Sequence, residues 1–154
     1  MTNVTTAQEF LAAATQKAAG DLITALDGLP PGKRTWQPAP AARSAMDQVA
    51  ECAILTGTVA DTVATRTAPD TAFMQSFVGE KALLAQEESN ARALLETNVA
   101  RVIAAIRNVP DADLETEIIM PWAPMTLRAL CTYPFWNMSY HQGQITYIAS
   151  LIVE

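Results

Sequence analysis

The sequence contains few of the residues that usually carry catalytic chemistry or bind metals. Its 154 residues include one histidine and two cysteines, and the cysteines, Cys52 and Cys131, are too far apart to form a CxxC motif. No glycine-rich phosphate loop is present, and no serine–histidine–aspartate order can be assigned. A conventional hydrolase therefore has little support, and we interpret both cysteines as small buried thiols in a reducing compartment.

Clustered positive charge and long apolar runs are also missing. The ten lysines and arginines are scattered, the formal net charge is -6 and the pI is about 4.7. Because binding to a phosphate backbone depends on clustered cations, we do not expect nucleic acid as a partner. No apolar run approaches the ~20 residues needed to span a bilayer, and the stretch MTNVTTAQEF lacks the pattern of a signal peptide. These absences predict a cytoplasmic protein without a membrane anchor.

Hydrophobic residues, by contrast, are plentiful. They make up 50% of the chain while charged residues make up 17%, a balance that excludes disorder. The chain length corresponds to a single domain over residues 1–154. The abundance of alanine and leucine among the apolar residues favours helix.

Apolar residues that recur at intervals of three and four predict four helices. The predicted helices run from the cap Thr6 to Gly28, from Ala45 to Arg66, from Glu80 to Asn108 and from Thr126 to the end, with loops at 30–43 and 67–79. The stretch before the last helix is expected to be irregular with a short extended piece. Proline removes a backbone donor, so Pro134 is expected to kink or restart the last helix. Together these features predict an all-α four-helix bundle.

The single histidine, His141, lies on the predicted last helix. Asn137, Ile145 and Ile148 share its face, and the isoleucines indicate that this face points into the protein. The histidine could be a metal ligand, a catalytic base or a buried imidazole hydrogen-bonded to Glu51, to Asn137 or to a backbone carbonyl. The residues by themselves favour the buried imidazole.

Two further positions in the predicted helices need a physical explanation. Glu51 lies among aliphatic neighbours in the second helix, so it requires a partner, either His141 or a metal that serves both. Gly143 costs about 1 kcal/mol relative to alanine inside a helix, which predicts the close approach of another helix at that point. Tyr140 and Tyr147 share one helical face, and we interpret them as core or dimer-packing residues.

Two stretches resemble motifs of the DinB/YfiT-like superfamily. TWQPAPAARSAMDQVAE is similar to its Trp-x-Pro loop, which leads into Arg-Ser at a helix start and a histidine seven residues after the serine. NMSYHQGQITYI is similar to its last-helix signature, His-x-x-x-His-Arg-Gly-Gln with an apolar tail. The residues that carry the resemblance are Trp36, Pro38, Arg43, Ser44, His141, Gly143, Gln144 and Tyr147.

The resemblance implies a fold, a site and partners. Members of this superfamily are four-helix bundles, often homodimers, and many hold one divalent metal on three histidines. In this chain those three positions fall on Glu51, Asn137 and His141, so one histidine of three is kept. The resemblance therefore implies a site at these residues for one divalent ion (Zn, Ni, Mn or Fe) or for a small molecule.

Three functions follow from the resemblance. The first is a DinB-like protein of undefined activity with an altered polar or metal site at Glu51, Asn137 and His141. The second is a metal-dependent, hydrolase-like enzyme or S-transferase that uses a low-molecular-weight bacterial thiol such as mycothiol. The third is a non-catalytic structural or regulatory dimer.

Overall fold

Five α-helices and one small β-hairpin form the fold in the computed structural model, which describes residues 5–152. The helices are α1 (Ala7–Asp27), α2 (Ala45–Thr65), α3 (Thr71–Leu84), α4 (Glu88–Arg107) and α5 (Leu127–Ser150), and the strands are β1 (Glu117–Ile119) and β2 (Pro124–Thr126). The structure is thus mostly helical, as predicted, but it has five helices instead of four and a small hairpin. None of the helices within 5–152 is long and apolar enough to cross a membrane.

Three helices begin at the polar residues that the sequence marks as caps. The hydroxyl oxygens of Thr6, Ser44 and Thr126 each accept a hydrogen bond from the backbone N–H three residues later, at 3.1 to 3.2 Å. Each cap satisfies a donor that the first turn of a helix would otherwise leave unpaired. The predicted starts of α1, α2 and α5 are therefore confirmed.

The prediction of a loop at 67–79 followed by one helix from Glu80 to Asn108 is wrong. A separate helix, α3, starts at Asp70, whose carboxylate accepts from the backbone N–H of Phe73 at 3.0 Å. It ends in a tight turn over 85–87 before α4 begins. No residue of α3 is buried, and its large apolar residues lie both on its half-buried side (Phe73, Phe77 and Leu84) and on its exposed side (Met74, Val78 and Leu83). The turn after it contains neither glycine nor proline. The sequence therefore shows neither one clearly apolar side for α3 nor a breaker at its end.

The expected extended piece is present as the β1–β2 hairpin. The strands are antiparallel, with Glu117 paired to Thr126 and Ile118 to Met125. Ile118 of β1 is buried and packs into the core on the inner side of the hairpin. The second strand leads directly into α5.

α5 does not restart at Pro134. It continues from residue 127 to residue 150 with the proline inside it. Proline removes one backbone donor, but the Pro134 side chain is buried in the protein and the turns on both sides remain helical. Tertiary packing thus maintains a helix that the local sequence would interrupt.

The core lies between α1, α2, α4 and α5. α2 packs mainly against α4 and α5, and α1 packs mainly against α5 and α4, whereas α3 touches α2 and α4 at the periphery. One buried cluster includes Leu22, Leu26, Met46, Leu95 and Ile145, and a second includes Val59, Val102, Ile106, Ile118 and Leu130. The first cluster adjoins the contact between α2 and α5 where the candidate site lies.

The close helix approach occurs at Gly57 rather than at Gly143. A Cβ atom added at Gly143 would meet no atom within 4 Å, so the expectation of a close neighbour there is wrong. A Cβ added at Gly57 in α2 would lie 2.5 Å from Nδ2 of Asn98 in α4. Asn98 crosses to α2 and donates from that nitrogen to the carbonyl oxygen of Ala53 at 2.8 Å. The glycine in α2 therefore makes room for a polar link between the two helices.

Candidate functional site

His141 and Glu51 are in direct contact across the α2–α5 interface. His141 Nε2 lies 3.0 Å from Glu51 Oε1, and the histidine is only 3% exposed. An ionised carboxylate can only accept hydrogen bonds, so Nε2 carries a proton and its N–H donates a hydrogen bond to Glu51. The interpretation of His141 as a buried imidazole with Glu51 as its partner is confirmed.

Two glutamines hold the other ring nitrogen of His141. Nδ1 lies 2.9 Å from Oε1 of Gln48 in α2 and 2.9 Å from Oε1 of Gln144 in α5. Gln48 is 2% exposed, and its place one turn before Glu51 brings both side chains to the same face of α2. The sequence analysis missed Gln48, because this spacing places it beside Glu51 but does not by itself single out a neutral amide as a partner of His141. Both of these partners are amide oxygens, which only accept, so Nδ1 also donates and its N–H is shared between them. With partners on both sides, the imidazole has a fixed orientation.

A network of charges surrounds Glu51. Its Oε2 lies 2.8 Å from Nη2 of Arg43 and 3.9 Å from Nζ of Lys81, and Lys81 also binds Asp47 at 3.1 Å. Arg43 further donates from Nε to Asp47. Burial works to raise the pKa of Glu51, but the hydrogen bond from His141 and the charge of Arg43 outweigh it and lower the pKa. Glu51 is therefore an anion at neutral pH.

Asn137, the third predicted ligand, is buried one turn before His141 but interacts with a different group. Its Nδ2 donates to Sγ of Cys52 at 3.7 Å. Burial raises the pKa of the Cys52 thiol far above its ordinary value, so the group stays protonated. Burial also raises the pKa of Cys131, to about 11. Both cysteines are buried free thiols, as expected.

The residues present fit a three-ligand metal site poorly. Glu51 and His141 face each other, whereas the amide nitrogen of Asn137 is directed to a thiol. A metal ion would have to replace the proton on His141 Nε2 and lie next to the positive charges of Arg43 and Lys81. Within 5–152, no three His, Cys, Asp or Glu side chains are grouped so that they could hold a metal. A metal at Glu51, Asn137 and His141 remains a prediction.

A cleft opens beside this polar cluster, between loop 38–43 and the second half of α5. Its volume is about 680 Å³, within the usual range of small-molecule sites. The apolar part of its lining includes Pro38, Ala42, Tyr140, Tyr147, Ile148 and Leu151. Its polar lining includes Arg43, Gln48 and Gln144, and the two glutamines connect the cleft to His141.

The two tyrosines of α5 form an open wall of this cleft. Tyr140 is 52% exposed and Tyr147 is 66% exposed, so the interpretation of them as core residues is wrong. The rings of Tyr133, Trp136 and Tyr140 form a row, with 5.6 Å between the centroids of each successive pair. Gly143 lies between the two tyrosines in sequence and adds no side chain to the cleft.

A second cleft lies between α1 and α4. Its volume is about 560 Å³, and its lining includes Gln16, Gly20, Ile23 and Leu95. None of the residues around His141 contributes to it. It therefore provides a matched surface for control substitutions.

Comparisons with known proteins agree with this arrangement of helices. A conserved protein from Enterococcus faecalis has a similar structure, with a TM-score of 0.74 and 15% sequence identity over 97% of this chain and 98% of that chain. A protein from Streptococcus pneumoniae gives a TM-score of 0.66 and 15% identity over 96% and 94% of the two chains. At these identities the likeness concerns the fold alone.

Sequence comparison extends this likeness to a family. No curated protein matches the chain. The model of the DinB superfamily matches residues 14–145, a region that contains Glu51, Asn137 and His141 together with both glutamines. Because the match covers most of the sequence, the chain belongs to the DinB superfamily.

Proposed function

We propose that this DinB-superfamily protein binds a small organic molecule in the cleft between loop 38–43 and α5. The observation that carries the proposal is the position of Gln48, which is 2% exposed, contacts His141 and also lines the cleft. Apolar walls with a few convergent polar groups are the usual composition of ligand sites. The apolar part of the ligand would contact Tyr140 and Tyr147, and its polar part would meet the two glutamines.

In this proposal His141 and Glu51 are positioning residues. The anionic Glu51 holds the proton on His141 Nε2, and this contact directs Nδ1 toward Gln48 and Gln144. The glutamine side chains are thereby held at the inner end of the cleft without any metal. We infer that α1, α2, α4 and α5 form a four-helix bundle as the rigid frame of this site, with α3 outside it.

A fluorescent apolar probe, anilinonaphthalene sulfonate, tests the proposal. We expect its emission to rise with the folded wild-type protein and to return to background with Gly143→Phe, because the new ring would fill the cleft. Gly143 has open space at its Cβ, so the variant should fold. The readout is a fluorescence titration, with the circular dichroism spectrum as the check on folding.

Gly20→Phe is the matched control. Gly20 also lies in a helix with open space at its Cβ, but it lines the cleft between α1 and α4. This variant should leave the titration unchanged. If Gly20→Phe abolishes the signal and Gly143→Phe does not, the ligand site lies between α1 and α4 and the proposal is wrong.

The two alternative functions remain predictions. A metal-dependent S-transferase requires a divalent ion at Glu51 and His141 and a low-molecular-weight thiol as co-substrate. A non-catalytic homodimer requires a self-complementary surface, for which the exposed rings of Trp136 and Tyr140 are suitable in chemistry. The binding proposal differs from both because it needs neither an ion nor a second chain.

A further inference from the structure

The free polar atoms of the cleft are hydrogen-bond donors. Gln48 and Gln144 both direct Oε1 to His141 Nδ1, which leaves each side chain with its Nε2 group and two N–H donors. Within residues 5–152, neither of these nitrogens has a protein acceptor at hydrogen-bond distance. Since Gln48 is almost completely buried and lines the cleft, its unused donors point to a ligand that accepts hydrogen bonds.

Arg43 adds a charged donor at the same end of the cleft. Its Nε binds Asp47, and its Nη2 binds Oε2 of Glu51 at 2.8 Å and the backbone oxygen of Asp47 at 3.3 Å. In the described part of the chain, Nη1 has no acceptor. The guanidinium is thus held in place by two acids and keeps one nitrogen for a further partner.

Among residues 5–152, no carboxylate competes for these donors. The described residues that line the cleft include no aspartate and no glutamate. The nearest acids, Asp47 and Glu51, are already paired with Arg43 and Lys81, and Glu51 is also bonded to His141. Their charges are therefore compensated within the network, and the polar end of the cleft offers donors without an opposing free anion.

We propose that the ligand is an amphipathic carboxylate, an apolar body that carries one carboxylate group, and this inference rests on the proposed function. A carboxylate offers two oxygens and about four acceptor positions, which match the donors of Gln48, Gln144 and Arg43. Hydrogen bonds to an ionised acceptor are roughly twice as strong as neutral ones. The apolar body lies along the wall of Tyr140 and Tyr147.

Three probes with the same body and different heads test the inference. Phenylbutyrate carries a carboxylate, phenylbutanol a hydroxyl and phenylbutylamine an ammonium group. We expect phenylbutyrate to bind at least about tenfold more tightly than either of the others, a factor that corresponds to about 1.4 kcal/mol. Isothermal titration calorimetry with the full chain gives the three dissociation constants.

Two variants place the carboxylate head. Gln48→Glu keeps the shape of the side chain but replaces its donors with acceptors, so phenylbutyrate should bind at least about tenfold more weakly while phenylbutanol changes little. Gln144→Glu makes the same change at a half-buried position and covers the case in which Gln48→Glu does not fold. Gln16→Glu adds the same charge in the cleft between α1 and α4 and should leave all three probes unaffected.

The results separate this inference from the proposed function. If phenylbutanol or phenylbutylamine binds as tightly as phenylbutyrate, and Gly143→Phe abolishes binding, the cleft is a ligand site and the carboxylate inference is wrong. If phenylbutyrate fails to bind although anilinonaphthalene sulfonate does, the carboxylate inference is wrong and the proposed function stands. If no probe binds, both are wrong.

Discussion

The role of His141 is determined by side chains that are distant from it in sequence. Glu51 and Gln48 reach it from α2, and Gln144 reaches it from the next turn of α5. From the sequence, Glu51 could be named as its partner because a carboxylate on an apolar face needs one. Gln48 could not, since a neutral amide among apolar residues raises no comparable demand.

Gly57 and Gly143 should respond in opposite directions to the same substitution. Gly143→Ala should raise the free energy of unfolding by about 0.5–1 kcal/mol, because alanine is the better helix former and its Cβ meets nothing. Gly57→Ala should lower it by about 1–3 kcal/mol, because the new Cβ would overlap Asn98. Urea unfolding of the two variants measures both changes.

Gly20→Ala is the control for this pair, since a Cβ there also meets no atom within 4 Å. It should be stabilising to the same degree as Gly143→Ala. A loss of stability in Gly143→Ala alone would mean that something outside the described chain covers this part of α5, which would contradict the open cleft.

At the scale of elements, the sequence predicts best where burial and capping act together. α1 and α2 have polar caps and apolar faces that repeat at helical spacing, and their predicted extents agree with the structure. α3 was missed because it has no fully buried residue and carries apolar residues on its exposed side as well as on its half-buried side, so no single apolar stripe identifies it. For α5 the sequence predicted the extent but left open a kink or a restart at Pro134, and the restart is excluded by packing that comes from other elements.

Lys81 should be the residue that holds α3 against the site. No other residue of α3 makes a side-chain ion pair within 5–152, and Lys81 binds Asp47 at 3.1 Å and lies over the ring of Phe77 at 5.9 Å. Lys81→Met keeps the apolar stem but removes the charge. We expect faster amide hydrogen exchange across α3, with a global loss of about 1 kcal/mol or less.

Hydrogen exchange followed by mass spectrometry resolves this effect by segment. Lys17→Met, which removes the exposed pair with Asp21 on α1, is the matched control and should leave α3 unchanged. Unchanged exchange in α3, or equal acceleration in every helix, would show that Lys81 does not stabilise the packing of α3 against the site.

At the scale of the whole molecule, the sequence predicts the family and the contact between Glu51 and His141, but not the charges that surround them. The resemblance to DinB-like motifs places Glu51 and His141 together, and they are in contact. It does not predict that Arg43 and Lys81 converge on the same carboxylate, because these charges come from a loop and from a helix that periodicity does not reveal.

Arg43 and Lys81 should keep the metal affinity of the wild-type protein low. A divalent ion at Glu51 and His141 would lie beside both cations and would have to displace the Nε2 proton. Elemental analysis of untagged protein, dialysed after exposure to zinc, nickel, manganese or iron, should therefore give less than about a tenth of an equivalent of any of them.

Arg43→Gln frees one oxygen of Glu51 and should raise zinc affinity by at least about tenfold. Adding His141→Ala to that variant should return the affinity to background. Close to one equivalent in the wild-type protein, lost in His141→Ala, would establish the metal site that the family resemblance implies and would show that the two charges do not prevent it.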